Sequence, residues 1–360
     1  MRKLVRKVEV SGIKPIIGAD KIELALIGGW QCVVKKGEFK PGDRGMYFEI
    51  DSALPADDER YAFLKDRFEK TWKTRKGDIL GSCIRIRTVK MRGEISQGLL
   101  LPVDMFPETA GIAEGEDCAE VLGVKLYDEL DWKYQPRFNQ SQAKGNFPAF
   151  IPKTDEERIQ NLPDWWEKYA DVEWEVTRKV DGSSMTVFYA PILRSENPVG
   201  LCSRNLELKT DETENPSAFV QAFRDLDLGR KIRAISVIMD DHEVAMQGEL
   251  HGIAMNGNRD NLTELRYAVF KMWDITKQKY LEPKTVRELC RQVGLQHVPV
   301  LESRFKAFRE LPDMESMLKF AEGKTENGNE REGVVFKRAD GNGSESFKVI
   351  SNRYLLKERE

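Results

Sequence analysis

Six short clusters of charged residues and glycines, most beside segments whose side chains alternate, constrain this chain more than any other feature. Lys179-Val180-Asp181-Gly182 follows the alternating run Val172 to Val176. Ser203-Arg204-Asn205, Gly248-Glu249-Leu250 and Trp273-Asp274-Ile275 come next, and Glu332-Gly333-Val334-Val335-Phe336-Lys337 and Ser346-Phe347-Lys348 close the series. A lysine, aspartate and glycine at fixed offsets arise by chance in roughly one chain in ten of this length. The whole ordered set, on segments that read as strands, does not. Glu249 and Glu332 both precede apolar residues in such runs, and a carboxylate aimed inward there needs a partner or a metal.

The first third reads as a small β-barrel. Short alternating segments at Leu4–Val10, Ile22–Ile27, Cys32–Val34, Met46–Ile50, Ile84–Val89 and Leu99–Val103 are separated by turn signals such as Gly28-Gly29, Gly37 and Pro41-Gly42-Asp43. That density of short strands suits an OB-fold, a common binder of single-stranded nucleic acid. Gly18 to Glu23 and Lys36 to Asp43 also resemble tRNA-binding OB modules. In Ile84-Arg85-Ile86-Arg87, period two puts the arginines on one face. With Lys90 and Arg92 they make a candidate phosphate-tracking stripe, against the alternative of an ordinary solvated strand face. The Asp57–Gly77 insertion interrupts the barrel pattern and is expected to be helical. The domain reading is therefore 1–125 as an OB-fold nucleic-acid-binding domain, 126–148 as linker and 149–360 as the catalytic domain. In the last, Thr154 or Asp155 is placed to cap a helix running through Arg158. Thr285 and Glu288 are placed to form a capping box on a helix that Gly294 ends. Gly323-Lys324-Thr325 imitates the end of a P-loop, but the required upstream glycine falls at Leu318 in a helical pattern, so it is rejected.

Charge and cysteine content narrow the setting. A total of 57 Lys and Arg against 60 Asp and Glu gives a net charge of −3, so there is no global basic field. The charge is local: Arg60 to Arg92 holds 11 Lys or Arg against 3 Asp or Glu. Five scattered cysteines with no C-x-x-C pair argue against a disulfide framework or zinc site, and the three histidines show no metal-ligand spacing. No apolar run is long enough to span a membrane, and the basic start lacks a signal-peptide core. A cytoplasmic monomer with no membrane partner is the expectation.

The order and spacing of the six clusters resemble the ATP-dependent RNA ligases of the RNA ligase 2 type, within the covalent nucleotidyltransferase superfamily. The resemblance covers nearly the whole chain and is strongest from Phe150 to Lys357. It implies an α+β fold: an OB-type barrel followed by an ATP-grasp-like ligase adenylation domain of antiparallel sheets flanked by helices. It also implies that ATP and a divalent metal, Mg²⁺ or Mn²⁺, are the cofactors and RNA the partner, a nicked duplex with an RNA 3′-OH strand. By this resemblance Lys179 is the nucleophile that becomes adenylated, and Gly182 lets the backbone turn closely around the nucleotide. Glu249 is the carboxylate beside the ribose and metal waters and Glu332 the metal-binding carboxylate, while Asp181, an acceptor when ionised, is suited by its chemistry to orient the lysine or to hold a metal-bound water. Arg158 binds ATP phosphates, while Ser203, Arg204 and Asn205 touch the nucleotide and the 5′-phosphate. Trp273 or Phe270 stacks on adenine, and Lys337 and Lys348 sit on the phosphates.

Two departures from the pattern matter. The last motif usually reads Lys-x-Lys, and here Ser346 takes the first lysine position, with Lys337 a possible substitute. DNA ligases and capping enzymes usually carry an arginine where this chain has Ser184, and they place their OB domain after the catalytic one. Three classes remain open on sequence: an RNA ligase, another covalent nucleotidyltransferase such as a DNA ligase or capping guanylyltransferase, and a non-catalytic RNA-binding protein. Chemistry favours the first two, because a lysine becomes a phosphorus nucleophile only when a cation or burial lowers its pKa.

Overall fold

A computed structural model describes residues 2–357 apart from 75, 135–141, 212–215, 256–257, 259 and 341–344. The chain falls into two compact units that divide near residue 137. In the first, Val5–Glu9, Arg44–Phe48 and Leu99–Pro102 form one antiparallel sheet, with Val5 and Leu99 both opposite Phe48. Gly12–Pro15, Ile22–Ile27 and Trp30–Lys35 form a meander, and Lys125–Leu126, Ser52–Pro55, Ile79–Arg85 and Glu69–Lys73 a third sheet. Alternation turns Val5, Met46, Phe48, Leu54, Ile84 and Leu101 into a shared core.

Three expectations for this unit need correction. The Asp57–Gly77 insertion is helical only over Glu59–Leu64 and Lys65–Phe68; it continues as the strand Glu69–Lys73, whose Trp72 is fully buried. The segment expected at Ile84–Val89 breaks after Arg85, and Val89–Met91 starts a separate hairpin with Glu94–Ser96. The start of the expected linker is a helix, Tyr127–Tyr134, pinned by Tyr127 stacked on Trp72 and by the Trp72 indole N–H donating to Asp131 at 2.8 Å. Residues 135–141 lie outside the described residues. All five cysteines are buried and unbridged.

The second unit is two sheets. The larger runs Ala143–Asn146, Leu206–Leu208, Val199–Cys202, Ser183–Tyr189, Val244–Gly252, Leu265–Asp274 and Lys279–Tyr280, with Gln296–His297 beside Leu265–Asp274. One face of it, carrying Met185, Val187, Met246, Leu250, Val269 and Met272, packs on the helices Ala218–Asp225, Leu228–Ile238 and Pro283–Val293. The smaller sheet runs Glu157–Arg158, Ser346–Ile350, Gly333–Arg338, Trp174–Lys179 and Val300–Phe305. Its Trp174, Val176, Val334, Phe336, Phe347 and Val349 build a separate aromatic core. The α+β expectation holds, with mainly antiparallel sheets flanked by helices and one parallel pair at Gln296–His297 in the larger sheet and one at Glu157–Arg158 in the smaller.

Two helix readings shift. The helix expected from Thr154 does not form; Glu157–Arg158 pairs in parallel with Phe347 and Lys348, and the acidic residues before it go into ion pairs instead of a helix first turn. The helix Pro283–Val293 begins before Thr285, with Glu282 as its cap residue, because proline's fixed φ suits the first helical position. Glu288 bonds Arg291 and Gln292, and Gly294 ends the helix at φ 64° as expected. Leu318 does lie in a helix, Met314–Ala321.

Candidate active site

The two sheets meet through Lys179-Val180-Asp181-Gly182, the link from Trp174–Lys179 in the small sheet to Ser183–Tyr189 in the large one. Period two sends Trp174 and Val176 into the aromatic core, so Glu175, Thr177 and Lys179 take the opposite face. Gly182 passes so close to the neighbouring strand that a Cβ there would lie 2.3 Å from the Leu250 carbonyl oxygen. No other residue fits this crossing without moving that strand.

Lys179 Nζ lies 2.8 Å from Glu332 Oε1. Burial alone would push the Lys179 amine down, but the charges of Glu332, Glu249 and Asp181 outweigh it and hold the amine above its ordinary value. Glu249 pairs across strands with Ser184 and is pushed up to about 8 by burial, against the pull of Lys179 and with Glu332 and Asp181 adding to the rise. Lys348 Nζ binds Asp155 Oδ1 at 3.0 Å, and Arg204 reaches the same carboxylate at 3.5 Å. Burial lowers the Lys348 pKa against the pull of Asp155, and the charges of Arg158 and Lys179 lower it further. Arg158, its register partner, is buried. Lys179, Asp181, Glu249, Glu332, Lys348, Arg158 and Arg204 thus form one electrostatic group. A pocket opens onto it, lined by Arg178, Lys179, Val180, Asp181, Asp260, Thr325, Glu330 and Glu332.

Other expected residues stand apart from that group. Ser203 is tied into its own turn by bonds between its hydroxyl and Leu206, and the Asn205 side chain accepts from Lys153 at 2.9 Å. Phe270 packs with Val180, Ala268 and Val298, next to the nucleophile's turn. Trp273 instead packs against a cluster that includes Phe188, Ala245 and Ile275, its ring meets Tyr280 edge-on, and its indole N–H donates to the Phe150 carbonyl at 3.2 Å. Of the two aromatics, the structure brings only Phe270 to Lys179's neighbour. Lys337 is buried, with its amine donating to the Phe270 carbonyl at 2.7 Å. In the first unit Arg85 pairs with Asp51 at 3.1 Å and lies over the Tyr127 ring at 4.0 Å, while Lys90 and Arg92 are exposed.

The comparisons with known proteins agree along the chain. A family model described as an OB-fold domain matches residues 4–103, and one described as RNA ligase matches residues 172–350. None of the curated proteins matches. Among solved structures, Naegleria gruberi RNA ligase with PPi is 37% identical with a TM-score of 0.83, over 100% of this chain and 99% of that one. A lysine-to-alanine variant of the same ligase with ATP and Mn aligns at 37% identity and TM-score 0.82, over 98% of each chain. A lysine-to-methionine variant with AMP and Mn gives the same identity, TM-score and coverage. The chain belongs to the RNA ligase family. Membership sets it apart from DNA ligases and capping guanylyltransferases. Among the described residues, no helix is long and apolar enough to cross a membrane.

In this ligase the donor chemistry suits a divalent cation. Asp181, Glu249 and Glu332 oppose the single charge of Lys179, and oxygen donors fit Mg²⁺ or Mn²⁺. Among the described residues no three such groups form a ready cage. That is consistent with an ion held by one or two carboxylates together with waters and phosphate. Sequence reasoning missed Asp155 and Glu156, read there as a helix start, and the pocket residues Asp260 and Glu330, which belong to no motif; Thr325, set aside with the false P-loop end, also lines the pocket.

The raised Glu249 pKa has a measurable sign. The folded ligase holds a proton that the unfolded chain releases above the ordinary value of 4.5. The resulting stability is fully present below that value and is lost as pH rises through about 8. Without ligand, the melting temperature of the wild type should therefore fall across this window, and that of Glu249→Gln should fall less. Parallel melting curves for the two proteins would refute the burial argument.

Proposed function

We propose that this ligase uses ATP to join RNA 3′-OH and 5′-phosphate ends through a lysyl-AMP and an RNA-adenylate. The observation that carries the reading is the Lys179 amine at the sheet crossing, ringed by Glu332, Glu249 and Asp181, with Lys348 and Arg204 beside it. First, the neutral Lys179 amine attacks the α-phosphorus of ATP; the N–P bond forms and the bond to the β-phosphate oxygen breaks, releasing pyrophosphate. Next, an oxygen of the RNA 5′-phosphate attacks the same phosphorus, breaking the N–P bond and regenerating lysine. Finally, the 3′-OH attacks the activated 5′-phosphate and AMP leaves. Lys348 and Arg204 are placed to balance negative charge on the phosphoryl oxygens. Bound Mg²⁺ or Mn²⁺ supplies the positive charge that lowers the Lys179 pKa and shields those oxygens. One or two of Asp181, Glu249 and Glu332 would hold it, together with waters and phosphate.

Phe270, packed beside Val180, is the better-placed ring for the adenine. Lys90 and Arg92, with the wider Arg60–Arg92 charge excess, are the surface for nicked duplex RNA. A monomer working in the reducing cytosol fits five buried thiols and no bridge. The test incubates the protein with labelled ATP or GTP plus Mn²⁺, denatures it, and then assays nicks made of RNA, DNA or mixed strands. The reading expects label from ATP alone and fastest sealing at an RNA 3′-OH. Label from GTP, or faster sealing of all-DNA nicks, would overturn it.

A further inference from the structure

Lys271 lies in the large sheet opposite Gln247, only 6% exposed, on the face that also carries Glu249. A buried ammonium is costly unless paired and hydrogen-bonded. Its partners come from elsewhere in the chain: Glu156 Oε1 at 2.9 Å, just before the strand Glu157–Arg158, and Ser346 Oγ at 2.8 Å. The second contact crosses from the large sheet to the small one, at the position where the resemblance calls for a lysine. Lys337, the register partner of Ser346, is a poor substitute, because its amine is committed to the Phe270 carbonyl. Burial, helped by the charge of Lys271, also takes Lys337 down to about 7. Glu156 stays ionised, held near 2 by Lys271 and Lys348 against the opposing effect of burial.

The register sets an order. Lys179 pairs with Gly333 and Gly333 with Ile350; Lys348 pairs with Val335, and Ser346 with Lys337. Along one sheet face, Lys348 and the Ser346–Lys271 contact are about 7 Å apart, two residues of strand, while Lys179 lies at the level of Ile350 on the second strand over, about 10 Å to the side. Asp155 and Glu156 occupy Lys348 and Lys271, as a phosphate chain would.

We infer that Lys271 supplies, from a different strand, the ammonium that the Ser346 position lacks, and that it binds the phosphates of ATP in exchange for Glu156. This rests on the proposed ATP-dependent reaction. Charge-assisted contacts of this kind carry about ten- to a hundredfold in a rate or affinity.

Lysyl-AMP formation should be measured against ATP concentration for the wild type, Lys271→Ala, and Lys271→Ala combined with Ser346→Lys. The single variant should lose about ten- to a hundredfold in kcat/KM, mostly through a raised KM for ATP. The double variant should recover most of that loss, since it restores an ammonium on the facing strand. A purely structural role for Lys271 predicts a lowered melting temperature with the KM for ATP unchanged. Should Lys271→Ala fail to fold, Lys271→Gln combined with Glu156→Gln removes both charges together and takes its place, with and without Ser346→Lys. Full activity without Lys271, or a folded variant that Ser346→Lys does not rescue, would overturn the inference. A wild type that forms no adduct with ATP would instead overturn the underlying reaction.

Discussion

Lys179→Met is expected to abolish the denaturation-resistant protein–AMP adduct, by on the order of 10⁴-fold or more, because no other group can take over a removed nucleophile. Methionine keeps the length and the apolar stem, so the crossing between the sheets is retained. What disappears is the nitrogen and its charge. That charge now offsets Glu332 at 2.8 Å together with Glu249 and Asp181. Its loss leaves the carboxylates repelling one another, so the variant should melt lower than the wild type. The deficit should shrink as pH falls and the carboxylates take up protons. Sealing of a strand supplied already adenylated does not need the lysine as nucleophile and should survive in part. The checks are adduct yield with labelled ATP, melting temperature at several pH values, and sealing of the pre-adenylated strand. Adduct formation at the wild-type rate would remove Lys179 from the chemistry.

The parts of the fold legible in the sequence are those fixed by local alternation. Val5–Glu9, Ile22–Ile27 and Leu99–Pro102 fall within the segments that alternation marks, and Trp174–Lys179 overlaps the run Val172 to Val176, with both of its faces buried from Trp174 to Thr177. Of the motif residues, Lys179, Asp181, Glu249, Glu332 and Lys348 come together, whereas Ser203, Asn205, Trp273 and Lys337 do not join them. Long-range pairing was not legible. Asp155 lies 193 residues from Lys348, and nothing near Thr154 signals that Glu157–Arg158 will join Ser346–Ile350 in parallel. The acidic run therefore reads as a helix start, although its charges belong to lysines of other strands. Irregularity hides as well. The register between Val244–Gly252 and Leu265–Asp274 shifts at Gln247/Gly248, leaving Phe270 out of step. Counting in twos along that strand then cannot tell whether Phe270 or Trp273 stands near Lys179. Arg85 shows the opposite failure. Its strand position is right, yet Asp51 and Tyr127 claim a side chain that looked free for phosphate.

A fragment beginning at Phe138 should form lysyl-AMP at close to the full-length rate while losing nick sealing by on the order of 100-fold. Every residue proposed to touch ATP, from Arg158 to Lys348, lies in the second unit, which has its own cores around Met246 and around Trp174. The start point matters. Ala143–Asn146 pairs with Leu206–Leu208, and the Phe147 N–H donates to the Asn205 carbonyl at 3.0 Å. A cut after Asn146 would strip the edge strand beside the Ser203–Asn205 turn and damage adenylation for a trivial reason. Sealing should suffer because the fragment lacks the Arg60–Arg92 charge excess, and phosphate neutralisation gives affinity that falls steeply with salt. For the same reason full-length sealing should weaken as salt rises, while adenylation by either protein changes little. Within the full chain, Lys90→Ala with Arg92→Ala should reproduce a milder sealing defect, whereas Arg85→Ala should mainly lower the melting temperature. Adenylation and sealing measured side by side for these proteins decide the matter. Sealing undiminished in the fragment, or adenylation lost from a fragment that remains folded, would show that the two units do not divide the reaction in this way.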